Sequence, residues 1–458
     1  MNFLVLNGSP KGDLSITMYY IKYLQKIHPE HNFEIINVAQ QINKIENDEN
    51  YFNEILDKVE KCDCVVWGFP LYVTVAHANY HRFFELIFEK NKMQVFNGKY
   101  CTAVSTSIHF FDHTAHNFIR AVSHDLNMKY IDYYSAKMRD LMDEKERKKF
   151  KQFWENVISS VKNDVYLPNI FPKVEKNDFV YEPERSNKKV KAGNKKIIVL
   201  TDSESVNSNL SKMVEKFKIC IDGDIETINI HDIDIKGGCQ GCCVCGYNNT
   251  CIYEGKDGLI PLFKQKLIPA DVIIFASQIK TRYLSYRWRT FFDRMFFNTH
   301  TPTFVSKQLG FLFSGPFKST PNIRESITGI MQWQNSNITG FICDDIADSN
   351  ELDAQIYNLA FRSIENSKVN YIRPKTFPGV GGVKVFRDDI YGGLKFPFVA
   401  DHKYYKKHGV YDFPKKSLLI SFLLTMLKIF PGLRKKIFTP KSFKNAMTRN
   451  LEKFIKKI

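Results

Sequence analysis

The sequence predicts an α/β protein built from two tandem, doubly wound parallel-sheet domains followed by a basic, partly helical C-terminal extension. Short apolar runs alternate with helix-period segments, the pattern of βαβ units. The same order of runs then returns further along the chain, as an internal duplication does. The 458 residues, 44% of them hydrophobic and 14% aromatic, are enough for two separate cores.

In the first half, Asn2–Leu6 is an apolar run that leads through a Gly/Ser/Pro turn into a helical pattern from Ser15 to Ile27. Phe33–Val38, Cys64–Phe69 and Tyr100–Ser105 read as strands, with a last strand near Tyr130. Phe52–Val59, Ala78–Phe88, Ala115–Leu126 and Glu144–Val161 carry helical periodicity. Five strand–helix units suit a flavodoxin-like sheet.

The second half repeats these runs. Ile197-Ile198-Val199-Leu200 matches Phe3-Leu4-Val5-Leu6 at an offset of 194, and Glu226–Ile230 matches Glu34–Val38 at 192. Asp271–Phe275 matches Asp63–Trp67, and Phe291-Phe292-Asp293 matches Phe83-Phe84-Glu85, both at 208. The offset grows between the second and third strands, where Cys239, Cys242, Cys243, Cys245 and Cys251 lie. One copy thus carries a cysteine insert. The boundaries that follow are 1–167 for the first domain, 168–194 for a polar linker, 195–370 for the second domain and 371–458 for a C-terminal wrap and tail.

Charge is unevenly placed. Of the net +16, +12 belongs to residues 401–458, so the domains are near neutral and a nucleic-acid surface is not expected. Met1-Asn2 runs directly into Phe3-Leu4-Val5-Leu6 without a charged leader, and the longest apolar run, Leu418–Leu427, is far short of the roughly 20 residues that span a bilayer. Cytoplasmic residence is the expectation. In that compartment, clustered cysteines mean metal or redox chemistry, and the scattered Cys62, Cys64, Cys101, Cys220 and Cys343 read as small apolar residues.

Asn7-Gly8-Ser9-Pro10-Lys11-Gly12-Asp13-Leu14-Ser15-Ile16-Thr17 joins the first strand to the first helix. Outward-pointing backbone N–H groups and the helix dipole favour an anion there. Ser9, Ser15 and Thr17 add hydroxyls, and Lys11 adds charge. This segment resembles the FMN-phosphate loop of the NADPH-dependent FMN reductase and flavodoxin-like quinone reductase group. Phe69-Pro70-Leu71-Tyr72 resembles the turn that group places beside the isoalloxazine ring, so Pro70, Leu71 and Tyr72 become flavin-binding candidates. The corresponding loop of the second half reads Thr201-Asp202-Ser203-Glu204-Ser205, whose acids would repel a phosphate. That half is expected to have lost its own flavin.

Cys239-x2-Cys242-x2-Cys245-x5-Cys251 can gather four thiolates on one inorganic core. The run resembles the compact motif of iron–sulfur flavoproteins, which implies a [4Fe-4S] cluster on these four residues, with Cys243 a bystander. Zinc and metal-free thiols are the competing readings. The resemblance implies an oxidoreductase that takes electrons from NAD(P)H through FMN in the first domain to a cluster in the second, and on to an unidentified acceptor. It also implies that fusing the halves brings flavin and cluster together, and that a homodimer is a common state. A non-catalytic electron carrier and a zinc-stapled binding protein are the alternatives.

Three further groups stand out. His109, Asp112, His113 and His116 follow the fourth strand and read as a metal or proton-donor group, or as a polar helix start capped by Asp112. Arg282, Tyr283, Arg287 and Trp288 read as a channel lining, as a dock for a carboxylate-bearing partner, or as a salt bridge between domains. The tail, with Lys415-Lys416 before an apolar stretch and Arg434-Lys435-Lys436 after it, suits peripheral contact with an anionic membrane, or a helix packed on the domains with a solvated basic side.

Overall fold

In the computed structural model, described over residues 1–174, 178–185, 188–414, 417–432, 448–449 and 451–458, the first half forms five strands. They are β1 (Asn2–Asn7), β2 (Asn32–Ile36), β3 (Cys64–Pro70), β4 (Tyr100–Ser107) and β5 (Lys129–Lys137). All pair in parallel in the order β2-β1-β3-β4-β5, the doubly wound arrangement the alternation predicts. The connecting helices are α1 (Ile16–Ile27), α2 (Glu49–Lys61), α3 (Ala78–Glu89), α4 (Asp112–Asp125) and α5 (Glu144–Lys162).

The second half gives β6 (Ile197–Thr201), β7 (Ile225–Asn229), β8 (Val272–Lys280), β9 (Gln308–Ser314) and β10 (Asn337–Cys343), with helices α6 (Asn209–Ile219), α7 (Tyr286–Arg294), α8 (Pro321–Trp333) and α9 (Ser349–Lys368). Their order, β10-β9-β8-β6-β7, is the same topology read from the other edge. The register follows the same offsets. Leu6 pairs with Trp67 in the first sheet and Leu200 with Phe275 in the second, at the offsets of 194 and 208 found in the sequence.

Strand alternation decides how the halves meet. Phe3 and Val5 point to an outer core with Met18 and Trp154, while Leu4 and Leu6 point inward. In the second sheet, Ile197 and Val199 face an outer core with Met213 and Phe217, and Ile198 and Leu200 face inward. The inward faces and α3, α4, α7 and α8 share one continuous apolar core. Each fully buried Leu or Phe there contributes about 1.5–3 kcal/mol. Met1–His408 is accordingly one compact unit, and Gly409–Ile458 is a second.

The linker contributes one element: Val190–Lys191 pairs with Ile221–Asp222. After α9, α10 (Phe377–Tyr391) packs on α8, and α11 (Val399–Lys407) follows. Asp401 of α11 accepts from His300 Nδ1 at 2.8 Å and from the His300 amide at 3.0 Å, fixing the wrap to the second half. In the second unit, α12 (Leu418–Ile429) covers most of the apolar stretch. Lys415, Lys416, Arg434, Lys435 and Lys436 lie outside the described residues. Among those described, no helix is long and apolar enough to cross a membrane.

Candidate functional site

The loop between β1 and α1 is organised by Asn7. Its Oδ1 accepts from the Ser9 amide at 3.0 Å, and its Nδ2 donates to the Gly12 carbonyl at 3.1 Å. Gly12 sits at φ +55°, a conformation most side chains avoid. Ser9 Oγ accepts from the Lys11 amide at 3.2 Å. Ser15 occupies the N-cap of α1 and is buried, yet its side chain makes no capping hydrogen bond. An N-cap hydroxyl not spent on its own helix suits an anion at this dipole end. Thr17 is different: its hydroxyl pairs with Thr106 Oγ1 at 2.8 Å and holds α1 against β4.

Beyond Pro70, the Leu71 amide donates to Thr106 O at 3.0 Å. Tyr72 and Val75 then exchange backbone hydrogen bonds of 2.7 and 3.1 Å around Val73 at φ +36° and Thr74 at φ +75°. Two β-branched residues in left-handed conformations store about 1–3 kcal/mol each, strain typical of functional sites. The second half repeats the turn, with Lys280 and Tyr283 paired around Thr281 at φ +40° and Arg282 at φ +64°.

The cysteine loop of the second half rests on the first half's turn. A Cβ on Gly241, which has φ +62°, would stand 2.3 Å from Tyr72 Oη and 2.9 Å from Lys11 Cε. His77 Nε2 donates to the Cys239 carbonyl at 2.8 Å while its Nδ1 accepts from the Asn79 amide at 3.1 Å. These partners fix the tautomer, and burial lowers the imidazole's pKa, which keeps it neutral. Arg294 anchors the loop's other side, donating to the Gly237 carbonyl at 2.8 Å and pairing with Asp257 at 2.9 Å.

Cys239, Cys242, Cys243, Cys245 and Cys251 line one small cavity of about 20 Å³ with Arg294, Phe296 and Phe297. Burial pushes the Cys245 thiol up to about 12, and neighbouring cysteines add to the rise; Cys239 moves the same way. Thiols shifted upward in this way deprotonate only beside compensating positive charge, which a metal core would supply. Cys243, set apart by spacing alone, lines the same cavity. Among the described residues, the one trio of ligand atoms within 4.8 Å of one another is His28, Glu30 and His31, so no three of these cysteine sulfurs converge that closely.

The halves are joined by reciprocal caps. The Ala78 amide at the start of α3 donates to Asp293 Oδ2 at 2.7 Å, and the Tyr286 amide at the start of α7 donates to Glu85 Oε1 at 2.7 Å. Ala78 and Tyr286 stand 208 positions apart, as do Glu85 and Asp293, so each half caps the other in the manner of an isologous interface. Asp293 also pairs with fully buried Arg289. The signal was present in the sequence, since an acid follows Phe-Phe in both copies; nothing there said that it crosses to the other copy. His77, Asp257 and Arg294 carried no such mark.

The remaining candidates have structural partners. His109 Nδ1 and Asp112 Oδ2 lie 2.8 Å apart, His113 Nε2 meets Glu325 Oε1 at 2.8 Å, and His116 Nε2 meets Ser105 Oγ at 2.8 Å. The four diverge and hold no shared ligand position. Asp112 is not the cap of α4: that place belongs to Phe111, left-handed at φ +60°, while Asp112 accepts from Ser135 Oγ at 2.6 Å. Arg282 binds Asp125 of the first half through two hydrogen bonds of 2.5 and 2.7 Å. Arg287 donates to the carbonyls of Ile230 and Ile233, and Trp288 is core.

A search of curated proteins found no match. Solved structures with the first half's fold include the flavoenzyme NAD(P)H:(acceptor) oxidoreductase FerB from Paracoccus denitrificans, at 15% identity and TM-score 0.30 over 35% of this chain and 97% of that one. An FMN-dependent NADH-azoreductase from Bacillus anthracis, in complex with FMN, aligns at 12% identity and TM-score 0.27 over 36% of this chain and 100% of that one. Residues 1–137, which contain the phosphate loop and the Tyr72 turn, match the model of the NADPH-dependent FMN reductase family.

Proposed function

We propose that the protein is an NAD(P)H-dependent flavin oxidoreductase whose first half holds FMN and whose second half holds an iron–sulfur cluster. The observation that carries this reading is the seating of Gly241 against Tyr72 and Lys11, which brings the cysteine loop onto the flavin-side turn. Ser9, Lys11 and Ser15 would hold the phosphate, with Pro70, Leu71 and Tyr72 beside the ring. Thr17 would act through Thr106, keeping α1 in place. Cys239, Cys242, Cys245 and Cys251 would hold a [4Fe-4S] cluster.

Bound there, FMN would accept electrons in pairs from a nicotinamide and the cluster would pass them singly to an acceptor, so the chemistry is the cofactors' and the protein supplies position and environment. Tyr72 stays protonated, because burial and then the nearby cysteines raise its pKa. Its phenol can therefore donate a hydrogen bond. His77, neutral and pinned between the Asn79 amide and the Cys239 carbonyl, holds the loop against the turn. Phe296 and Phe297 line the cavity beside the cysteines.

Zinc fits less well. Four thiolates at zinc distances stand about 3.8 Å apart, whereas no three of these sulfurs lie within 4.8 Å of one another. Anaerobic purification with a visible spectrum and flavin, iron, sulfide and zinc analysis tests the reading. One FMN and four irons per chain are expected, with NAD(P)H bleaching both chromophores. Zinc without iron, or a flavin-free protein that cannot be reconstituted with FMN, would overturn it. The basic tail is proposed as a peripheral membrane contact, and vesicle flotation with and without residues 409–458 tests that.

A further inference from the structure

The second sheet has a crevice of its own. A cavity of about 1090 Å³ opens where β8, β9 and β10 end, lined by Ile279, Thr281, Gly315 and Asp344 and, from the first half, by Phe88 and Met93. Its volume is at the upper end of the roughly 300–1000 Å³ typical of ligand sites, and its place is the switch point where doubly wound sheets bind ligands. The duplication makes it the counterpart of the cysteine cavity: Phe88 lines one and Phe296, 208 positions on, lines the other. No cysteine insert follows β2 to cover it. The strained turn is kept, and Thr281 Oγ1 has no hydrogen-bond partner among the described residues.

The lining also says what the ligand is not. Where the first half has Gly8, the second has buried Asp202, which accepts from Ser285 Oγ at 2.6 Å and the Gln278 amide at 3.0 Å. Ser203 Oγ turns to Ser208 Oγ at 2.8 Å and Ser211 Oγ at 2.6 Å, so these hydroxyls bond one another. Five carboxylates (Glu85, Glu89, Asp125, Asp178, Asp344) line the crevice against three cations (Lys173, Lys280, Arg282). Arg282 is already committed to Asp125, as well as to the Pro172 carbonyl at 2.6 Å. With Asp202 and the serine hydroxyls in the anion position and acids outnumbering cations in the lining, a phosphate is disfavoured. Phe88, Met93, Ile279 and Pro316 offer apolar surface, and Asn97 and Asn127 offer amides for orientation.

We infer that this crevice is a second binding site, for a partly apolar compound with hydrogen-bonding groups and without phosphate, for which riboflavin is the accessible probe. The site does not depend on what the first crevice holds, which cofactor analysis reads separately.

Equilibrium dialysis of the full chain, saturated with FMN, against radiolabelled riboflavin tests it. One saturable site is expected, with added FMN displacing the label at least tenfold less effectively than riboflavin does. Ile279→Arg and, at the rim, Met93→Trp should each weaken riboflavin at least tenfold, while Tyr72→Ala leaves it unchanged. Absence of saturable binding, equal displacement by FMN, loss of binding in Tyr72→Ala, or full binding in both crevice variants would overturn the proposal.

Discussion

The two halves share strand order, a strained turn after the third strand and an acid that caps the other half's helix, yet their crevices differ. In the first, a glycine-containing loop leaves room and donors for an anion, and the partner half closes the opening with cysteines. In the second, Asp202 and a knot of serine hydroxyls fill the anion position, and the first half has no cysteine insert to reach it. Duplication supplied two equivalent places, and a loop substitution in one copy with an insert in the same copy made them unequal. The insert serves the other copy's crevice because each half reaches across the interface, as Gly241 does to Tyr72.

Breaking the reciprocal caps should have the largest effect. Asp293→Ala leaves fully buried Arg289 without its carboxylate and the Ala78 amide without its acceptor. A loss of about 3–5 kcal/mol is expected, read as a lower thermal midpoint with both halves unfolding together. The counterpart, Glu85, differs in its environment. Burial raises its pKa to about 7, so the folded state holds this proton more tightly than the unfolded state does. Its contribution to stability is complete below the unfolded value near 4.5 and is lost as pH rises through 7, by at most about 3 kcal/mol. Glu85→Gln should flatten that pH dependence, becoming more stable relative to the parent at pH 8 than at pH 5.

A smaller effect separates backbone strain from contact across the halves. Gly241 and Gly193 are both left-handed at φ +62°, but only Gly241 has atoms within 4 Å of a Cβ position. Gly193→Ala should cost about 1–2 kcal/mol and leave cofactor content intact. Gly241→Ala should cost at least as much and lower iron and flavin content together. Smallest is Lys11→Ala, which should weaken FMN about tenfold, roughly 1.4 kcal/mol, in a direct titration. Lys280→Ala, at the second half's counterpart of Tyr72 and paired with Glu204 at 3.1 Å, should leave FMN affinity unchanged.

Much of this arrangement was legible as pattern. Alternation and the offsets of 194 and 208 located both sheets, and the phosphate loop and cysteine run stood out because their spacing is local. What escaped depended on partners far along the chain. The run Pro378-Gly379-Val380-Gly381-Gly382 matches neither repeat and carries no helical signal, yet it lies in α10, because Gly379 and Gly382 let the helix press on Gln332 and Phe110, where a Cβ would stand 2.7 and 2.5 Å away. Glycine's low helix propensity was overridden by close packing. Thr17 looked like a phosphate ligand beside Ser15, but the turn of α1 directs it to Thr106.

The sequence by itself determined the two doubly wound halves, the asymmetry of their loops and the grouping of the cysteines, since hydrophobic period and local spacing are properties of short segments. Only the tertiary structure decided that the inward faces merge into one core, that Asp293 and Glu85 each cap the opposite half, and that the cysteine loop lies on Tyr72 and Lys11. Those contacts join residues more than 150 positions apart, and their energies come from desolvation and complementary shape, which exist only once both halves have folded and met.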